Sequence, residues 1–126
     1  MDVIIEKSQT TDRVDKYFKA WNFYDIGLLK EIFSVNARYV IRKKKIYRGI
    51  DQIIEYWKKN QKRQKDLQLH WKVIKRTARC DVVEFGAYFY DISEKLYNKI
   101  NGTIIFKYDA NEKIKVLTEA YRKRVR

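Results

Sequence analysis

The chain has no proline, one cysteine, one histidine and four glycines in 126 residues, and each shortage closes off a class of chemistry. Cys80 has no partner for an internal disulfide, which fits a reducing compartment. With no histidine–asparagine context beside it, Cys80 reads as a small hydrophobe rather than a nucleophile. His70 alone supplies neither a triad nor a metal set. No CxxC, HxxxH or HxxE spacing occurs, so no metal site is expected. The scattered glycines make no phosphate-cradling loop, and no cofactor is expected. No apolar run approaches the ~18–20 residues that a membrane helix needs, so no membrane partner is expected. The stretch Met1–Lys7 has neither a basic n-region nor a long apolar core, so no signal peptide is expected and the expected location is cytoplasmic.

Positive charge is plentiful. Lys and Arg number 29 against 16 Asp and Glu, a net charge of +13. One reading is a lysine-rich composition that keeps the surface solvated. The other is an anionic partner, a nucleic acid or a phosphorylated ligand. The charge comes from separate segments, Arg42–Lys45, Lys58–Lys65 and Tyr121–Arg126. No helix-turn-helix, zinc finger or RNP-like motif accompanies them, so nucleic acid is a partner without a motif. Hydrophobic residues make up 45% and aromatic residues 15%, enough for a core within one domain over 1–126.

The order of elements follows from periodicity. Thr10, Thr11 or Asp12 can cap a helix in which Val14, Phe18 and Trp21 recur at i, i+4, i+7, with Tyr17 beside them. Asn22–Asp25 breaks it. Asp25 can cap a second short helix carrying Leu28, Leu29, Ile32 and Phe33, which Ser34–Asn36 ends. Ala37–Ile41 reads as a strand, Arg42–Lys45 as a basic turn, and Ile46–Tyr47 as extended chain. Gly49 opens a helix with Ile50, Ile53, Ile54 and Trp57 on one stripe. Its end, Lys58–Lys65, is polar throughout and reads as solvated helix.

Strands make up the rest. Leu67, Leu69, Trp71 and Val73 alternate with Gln68, His70 and Lys72, which places His70 on the outer face. Thr77–Asp81 turns the chain into a strand where Val83, Phe85, Ala87 and Phe89 alternate with Glu84, Gly86, Tyr88 and Tyr90. Gly102, Ile104 and Phe106 mark the inner face of a third long strand. After a turn at Asp109–Glu112, Ile114–Arg124 forms the last. Leu117, Glu119 and Tyr121 lie on one face of it, and Val116, Thr118 and Ala120 on the other. Either set can face inward. Helices followed by a long antiparallel meander give an α+β fold.

Tyr17-Phe18-Lys19-Ala20-Trp21-Asn22 and Asp25, then Leu28-Leu29 and Ile32-Phe33, the strand Ala37–Ile41, Arg48-Gly49 opening the helix with Ile53 and Trp57, and Glu112-Lys113-Ile114 together resemble the SnoaL-like branch of the nuclear transport factor 2-like superfamily. The match runs from about Thr10 to Tyr121. The resemblance implies a cone: a curved antiparallel sheet wrapped around three N-terminal helices, open to a pocket at its wide end. It also implies a homodimer through the outer sheet face, where Tyr88 and Tyr90 alternate away from the core.

Ketosteroid isomerases belong to this superfamily, and their pattern can be laid on this chain residue by residue. The helix tyrosine falls on Tyr17. The general base falls on Ile41 and the protonated aspartate near Ile104. Isoleucine neither accepts a proton nor donates to an oxyanion, which argues against that chemistry. The expected pocket lining is Tyr17, Trp21, Tyr39, Ile41, Trp57, Phe85, Ala87, Phe89, Ile104, Glu119 and Tyr121. An apolar, aromatic set of this kind suits a small, largely apolar ligand, and it also suits a filled core. Glu119 and Tyr17 are the expected catalytic pair, since a carboxylate among aromatics has a raised pKa. The competing reading pairs Glu119 with Arg122 or Arg48. The basic turn Arg42–Lys45 either steers an anionic ligand or blunts a sheet edge.

Overall fold

The computed structural model describes residues 12–125. The leader Met1–Gln9, the capping candidates Thr10 and Thr11, and Arg126 lie outside them. Asp12 caps the first helix, its carboxylate accepting from the backbone N–H groups of Val14 and Asp15 at 3.0 Å each. That helix, α1, spans Arg13–Phe23 and ends on Tyr24 in the left-handed conformation. Asp25 caps α2, Ile26–Ile32.

Ser34–Asn36 does not end a helix by leading into a loop. The chain passes straight into strand β1, Phe33–Ile41, so β1 is longer than the expected Ala37–Ile41. The alternation there is weak because Val35 and Asn36 are both exposed. A four-residue strand β2, Lys45–Arg48, folds back on β1. Gly49, at φ +83°, turns the chain into α3, Ile50–Arg63. A side chain at Gly49 would strain that left-handed turn. Gln64 and Lys65 are not part of the polar helix end as expected. They open β3, Gln64–Arg76, and a residue at positive φ, Asp66, marks an irregularity in its register.

Strands β4 (Cys80–Asp91), β5 (Leu96–Tyr108) and β6 (Ile114–Val125) complete a six-stranded sheet in the order β2-β1-β6-β5-β4-β3. The α+β architecture is as expected. One pairing is not: β1 and β6 run parallel, so the sheet is mixed rather than antiparallel throughout. α3 intervenes between β2 and β3, and the last strand, antiparallel to β5, is inserted between β1 and β5 and so runs parallel to β1.

The sheet curves around α1 and α3. Phe18 stacks on Trp71 with ring centroids 4.5 Å apart, and Tyr17 meets Phe106 edge-on at 5.0 Å. Trp21 and Trp57 are buried, as are Ile53, Phe85, Ile104 and Leu117. The backbones of β5 and β6 approach closely at Gly102, where an added Cβ would come within 2.0 Å of the Ala120 carbonyl oxygen. On the outer face His70 is exposed opposite Gly86, and Tyr88 and Tyr97 are exposed with rings 5.8 Å apart.

Candidate ligand pocket

Parity on β6 is decided by the core. Leu117 is fully buried and Glu119 is 5% exposed, while Tyr121 is half-buried at the mouth. The parallel pairing sets Tyr39 against Leu117 and Ile41 against Glu119. Tyr39 donates to Glu119 Oε1 at 3.2 Å, and the Tyr17 and Tyr39 hydroxyls are 2.9 Å apart. Each hydroxyl has one proton. With that of Tyr39 given to Glu119, Tyr17 is the donor to Tyr39. A directed chain therefore runs from α1 through β1 to β6.

Glu119 is not held by Arg48 or Arg122, both of which are exposed. Among the described residues it has no ion-pair partner. Burial pushes its carboxyl up to about 7, against the smaller downward pulls of the Tyr39 hydrogen bond and the Lys44 charge. A carboxyl so placed exchanges its proton near neutral pH, the range in which a general acid or base works best. The Tyr17 and Tyr39 phenols are pushed upward, first by burial and then by the Glu119 charge, so both remain proton donors.

Two neighbouring spaces share walls here, and Glu119 lines the inner one. The inner one, about 40 Å³, is walled by Trp21, Tyr24, Tyr39, Tyr56, Trp57 and Glu119, among others. That is room for roughly one or two waters. It shares Tyr56, Asn60, Gln64, Ile100 and Tyr121 with an outer vestibule of about 270 Å³. Gln64 stands at the junction. Its Oε1 accepts from Trp21 Nε1 at 3.2 Å and from the Tyr24 hydroxyl, so its amino end is the one left to a ligand.

The expected lining is therefore only partly a lining. Trp21, Tyr39, Trp57, Glu119 and Tyr121 reach the inner space, and Ile41 and Phe89 reach the vestibule. Phe85, Ala87 and Ile104 are buried but line neither; they sit on the inner sheet face under α1, where Phe18 and Trp21 cover Phe85. Tyr17 is fully buried behind Tyr39 and acts only through it. Tyr56, Tyr47 and Gln64 belong to the site and had no signal in the apolar periodicity. Tyr47 and Tyr56 stack at 4.4 Å to close one wall.

A larger groove of about 670 Å³ lies at the other end of α1. Arg13, Arg76 and Tyr108 line it, and behind them lies the fully buried Asp81, which takes the Arg13 guanidinium at 2.8 Å, Arg76 at 2.8 Å and the Tyr108 hydroxyl at 2.7 Å. Asp81 opens β4 rather than lying in the expected turn. These charges are satisfied by one another, and the arrangement ties α1 to β3, β4 and β5. Among the described residues no group of three His, Cys, Asp or Glu side chains could hold a metal ion, and no helix is long and apolar enough to cross a membrane.

No family model matches the chain, and no curated protein matches it. Solved structures do. A SnoaL-like polyketide cyclase from Shewanella denitrificans OS-217 superposes with a TM-score of 0.78 at 14% identity, covering 87% of this chain and 88% of that one. The chain has the nuclear transport factor 2-like fold. The epoxide hydrolase/cyclase-like enzyme SalBIII, described in pyran ring formation in the polyether salinomycin, gives 0.75 at 20% identity, covering 90% and 93%. A nuclear transport factor 2-like protein of unknown function from Exiguobacterium sp. 255-15 gives 0.74 at 17% identity, covering 88% and 98%. The SnoaL-like assignment rests on neighbours such as these, and at such identities they speak for the fold and leave the chemistry to the site.

Proposed function

We propose that this nuclear transport factor 2-like chain binds a small, largely apolar molecule at the vestibule and uses Glu119 as a general acid–base on it. The observation that carries the reading is the Tyr17–Tyr39–Glu119 chain, a buried carboxyl near neutral pKa ending at a water-sized space that shares five wall residues with the vestibule. Isomerisation, dehydration, and epoxide opening or ring closure all need one proton moved at a dry carbon skeleton, and one carboxyl supported by two phenols can do that. SalBIII and the polyketide cyclase neighbour are in keeping with the last of these.

The test is a fluorescence titration, since Trp21 and Trp57 wall the inner space. A panel of small epoxides and enones is expected to change the emission, and any turnover is expected to vanish in Glu119→Gln while the fold persists. A panel that leaves the emission unchanged, or turnover that survives Glu119→Gln, overturns the reading. The rival, a non-catalytic module that takes nucleic acid on its basic surface, predicts instead an affinity that falls steeply with salt.

A further inference from the structure

Building on that reading of the pocket, we propose that its ligand is an amphipathic organic anion: the apolar body lies in the vestibule and the charged end meets Lys44 and Lys45 at the mouth. The vestibule wall carries four cations, Lys44, Lys45, Arg63 and Lys123, against one acid, Asp91. Arg63 is already engaged, 2.9 Å from Asp91 and 3.2 Å from Glu94, and Lys123 lies 3.5 Å from Glu94. Lys44 and Lys45 are paired with no carboxylate among the described residues.

Both ammonium groups, though exposed, lie against aromatic side chains of the vestibule. Lys44 Nζ donates to the Tyr121 hydroxyl at 3.0 Å and lies 4.6 Å from the centre of that ring. Lys45 Nζ lies 5.1 Å from the centre of the Tyr47 ring. The turn that carries them is pinned to the sheet, with Arg42 N–H donating to the Glu119 carbonyl at 2.8 Å and Lys44 N–H to the Ile41 carbonyl at 3.0 Å. Two exposed cations without a carboxylate partner, resting on aromatic rings at the mouth, form a ready site for an anion, because charge-assisted hydrogen bonds are the stronger ones. A sheet edge blunted against pairing needs only charge in solvent. It does not need ammonium groups drawn onto the aromatic side chains of a cavity.

The size of the space selects the kind of anion. Ile41, Phe89, Ile100 and the stacked Tyr47 and Tyr56 wall about 270 Å³. That space admits a short chain or a ring, whereas a nucleic-acid strand needs an open, extended groove. The geometry also links the mouth to the acid–base group, for Tyr121 touches Lys44 and lines the inner space with Glu119. An anion bound at Lys44 cancels a charge that draws the Glu119 pKa down. Ligand binding would then favour the protonated acid.

The experiment uses octanoate, octan-1-ol and octyl phosphate as probes, read by tryptophan emission. Octanoate is expected to bind about tenfold more tightly than the alcohol, the scale of a charge-assisted hydrogen bond. In Lys44→Met/Lys45→Met the two are expected to converge to within about threefold, because the charge contact is gone. Lys58→Met/Lys59→Met removes equal charge from exposed positions on α3 and is expected to keep the difference. Octyl phosphate tighter than octanoate makes the charged end a phosphate; the reverse makes it a carboxylate, and either supports the anion. Alcohol and acid binding alike, or a preference that both lysine pairs alter equally, overturns the inference and leaves the pocket reading standing. Failure of all three probes to bind overturns both.

Discussion

Ile41 on β1 is the register partner of Glu119 on β6, and Ile104 on β5 is its partner from the other side. The two places where an isomerase of this fold would be expected to carry acids are thus apolar, and they flank a carboxyl on the strand between them. The acid has moved to the middle of the row. A second acid at Ile41→Asp would put like charges side by side, and the apparent Glu119 pKa is expected to rise from about 7 by about one unit or more. Carboxyl carbon NMR titration reads this directly; an unmoved titration would mean that the two side chains do not share one space.

Glu119 should also set how stability varies with pH. Its folded pKa of about 7 lies above the ordinary 4.5, so the folded chain holds a proton that the unfolded chain has released. The associated stability is fully present below about pH 4.5 and is lost as pH rises through about 7. Glu119→Gln removes the dependence. The variant is expected to gain on the native chain between pH 5 and 8, by about 3 kcal/mol at most. Urea unfolding at the two pH values measures the gain, and parallel pH trends in both proteins would contradict it.

Tyr39→Phe breaks the chain of hydroxyls at its centre. Tyr17, fully buried, loses its acceptor, which is expected to cost about 1–3 kcal/mol. Glu119 loses a hydrogen bond that lowers its pKa, so its titration moves upward from about 7. Calorimetric unfolding and the same NMR titration should show both changes together.

Asp81 carries the largest expected effect away from the pocket. Burial raises its pKa, and hydrogen bonds from Arg13, Arg76 and Tyr108 outweigh that, so the net shift is downward. Its contribution is present above the ordinary 3.8 and lost as pH falls through the lower folded value. Asp81→Asn removes the buried carboxylate that Arg13 and Arg76 share, leaving Arg13 with Glu112 and Arg76 with Asp12, at an expected cost of about 3 kcal/mol. Thermal unfolding at pH 7 measures it, with the gap to the native protein closing in strong acid.

Much of this fold can be read from local pattern. Asp12, one of three candidates with Thr10 and Thr11, and Asp25 cap their helices, because capping depends on side chains within a few residues. The inner faces of β4 and β5 follow from alternation against a wet outer face. The failures share a different cause. Asp81 looked like a turn residue because its partners Arg13 and Tyr108 are 68 and 27 residues away. Gln64 looked like part of a polar run because its partners Trp21 and Tyr24 lie on another helix. The face of β6 was ambiguous because Val116, Thr118 and Ala120 are apolar enough to rival Leu117, Glu119 and Tyr121. What decided it is the pairing with β1, some 80 residues distant along the chain, as in the Tyr39–Glu119 bond.

The position of β6 has a consequence for how the chain folds. In the strand order β2-β1-β6-β5-β4-β3 it is the only member that touches both halves of the sheet. During synthesis, the β1–β2 hairpin and the β3–β4–β5 ribbon can form early, but nothing joins their edges until β6 has emerged. Closing so long a loop is entropically slow, and such non-local pairing places this chain among the slower-folding topologies. Until that step β1 keeps a bare edge, the kind of surface on which chains aggregate. The same event that removes the hazard delivers Glu119 to Tyr39, so the proposed acid–base group is assembled only in a chain that has finished folding.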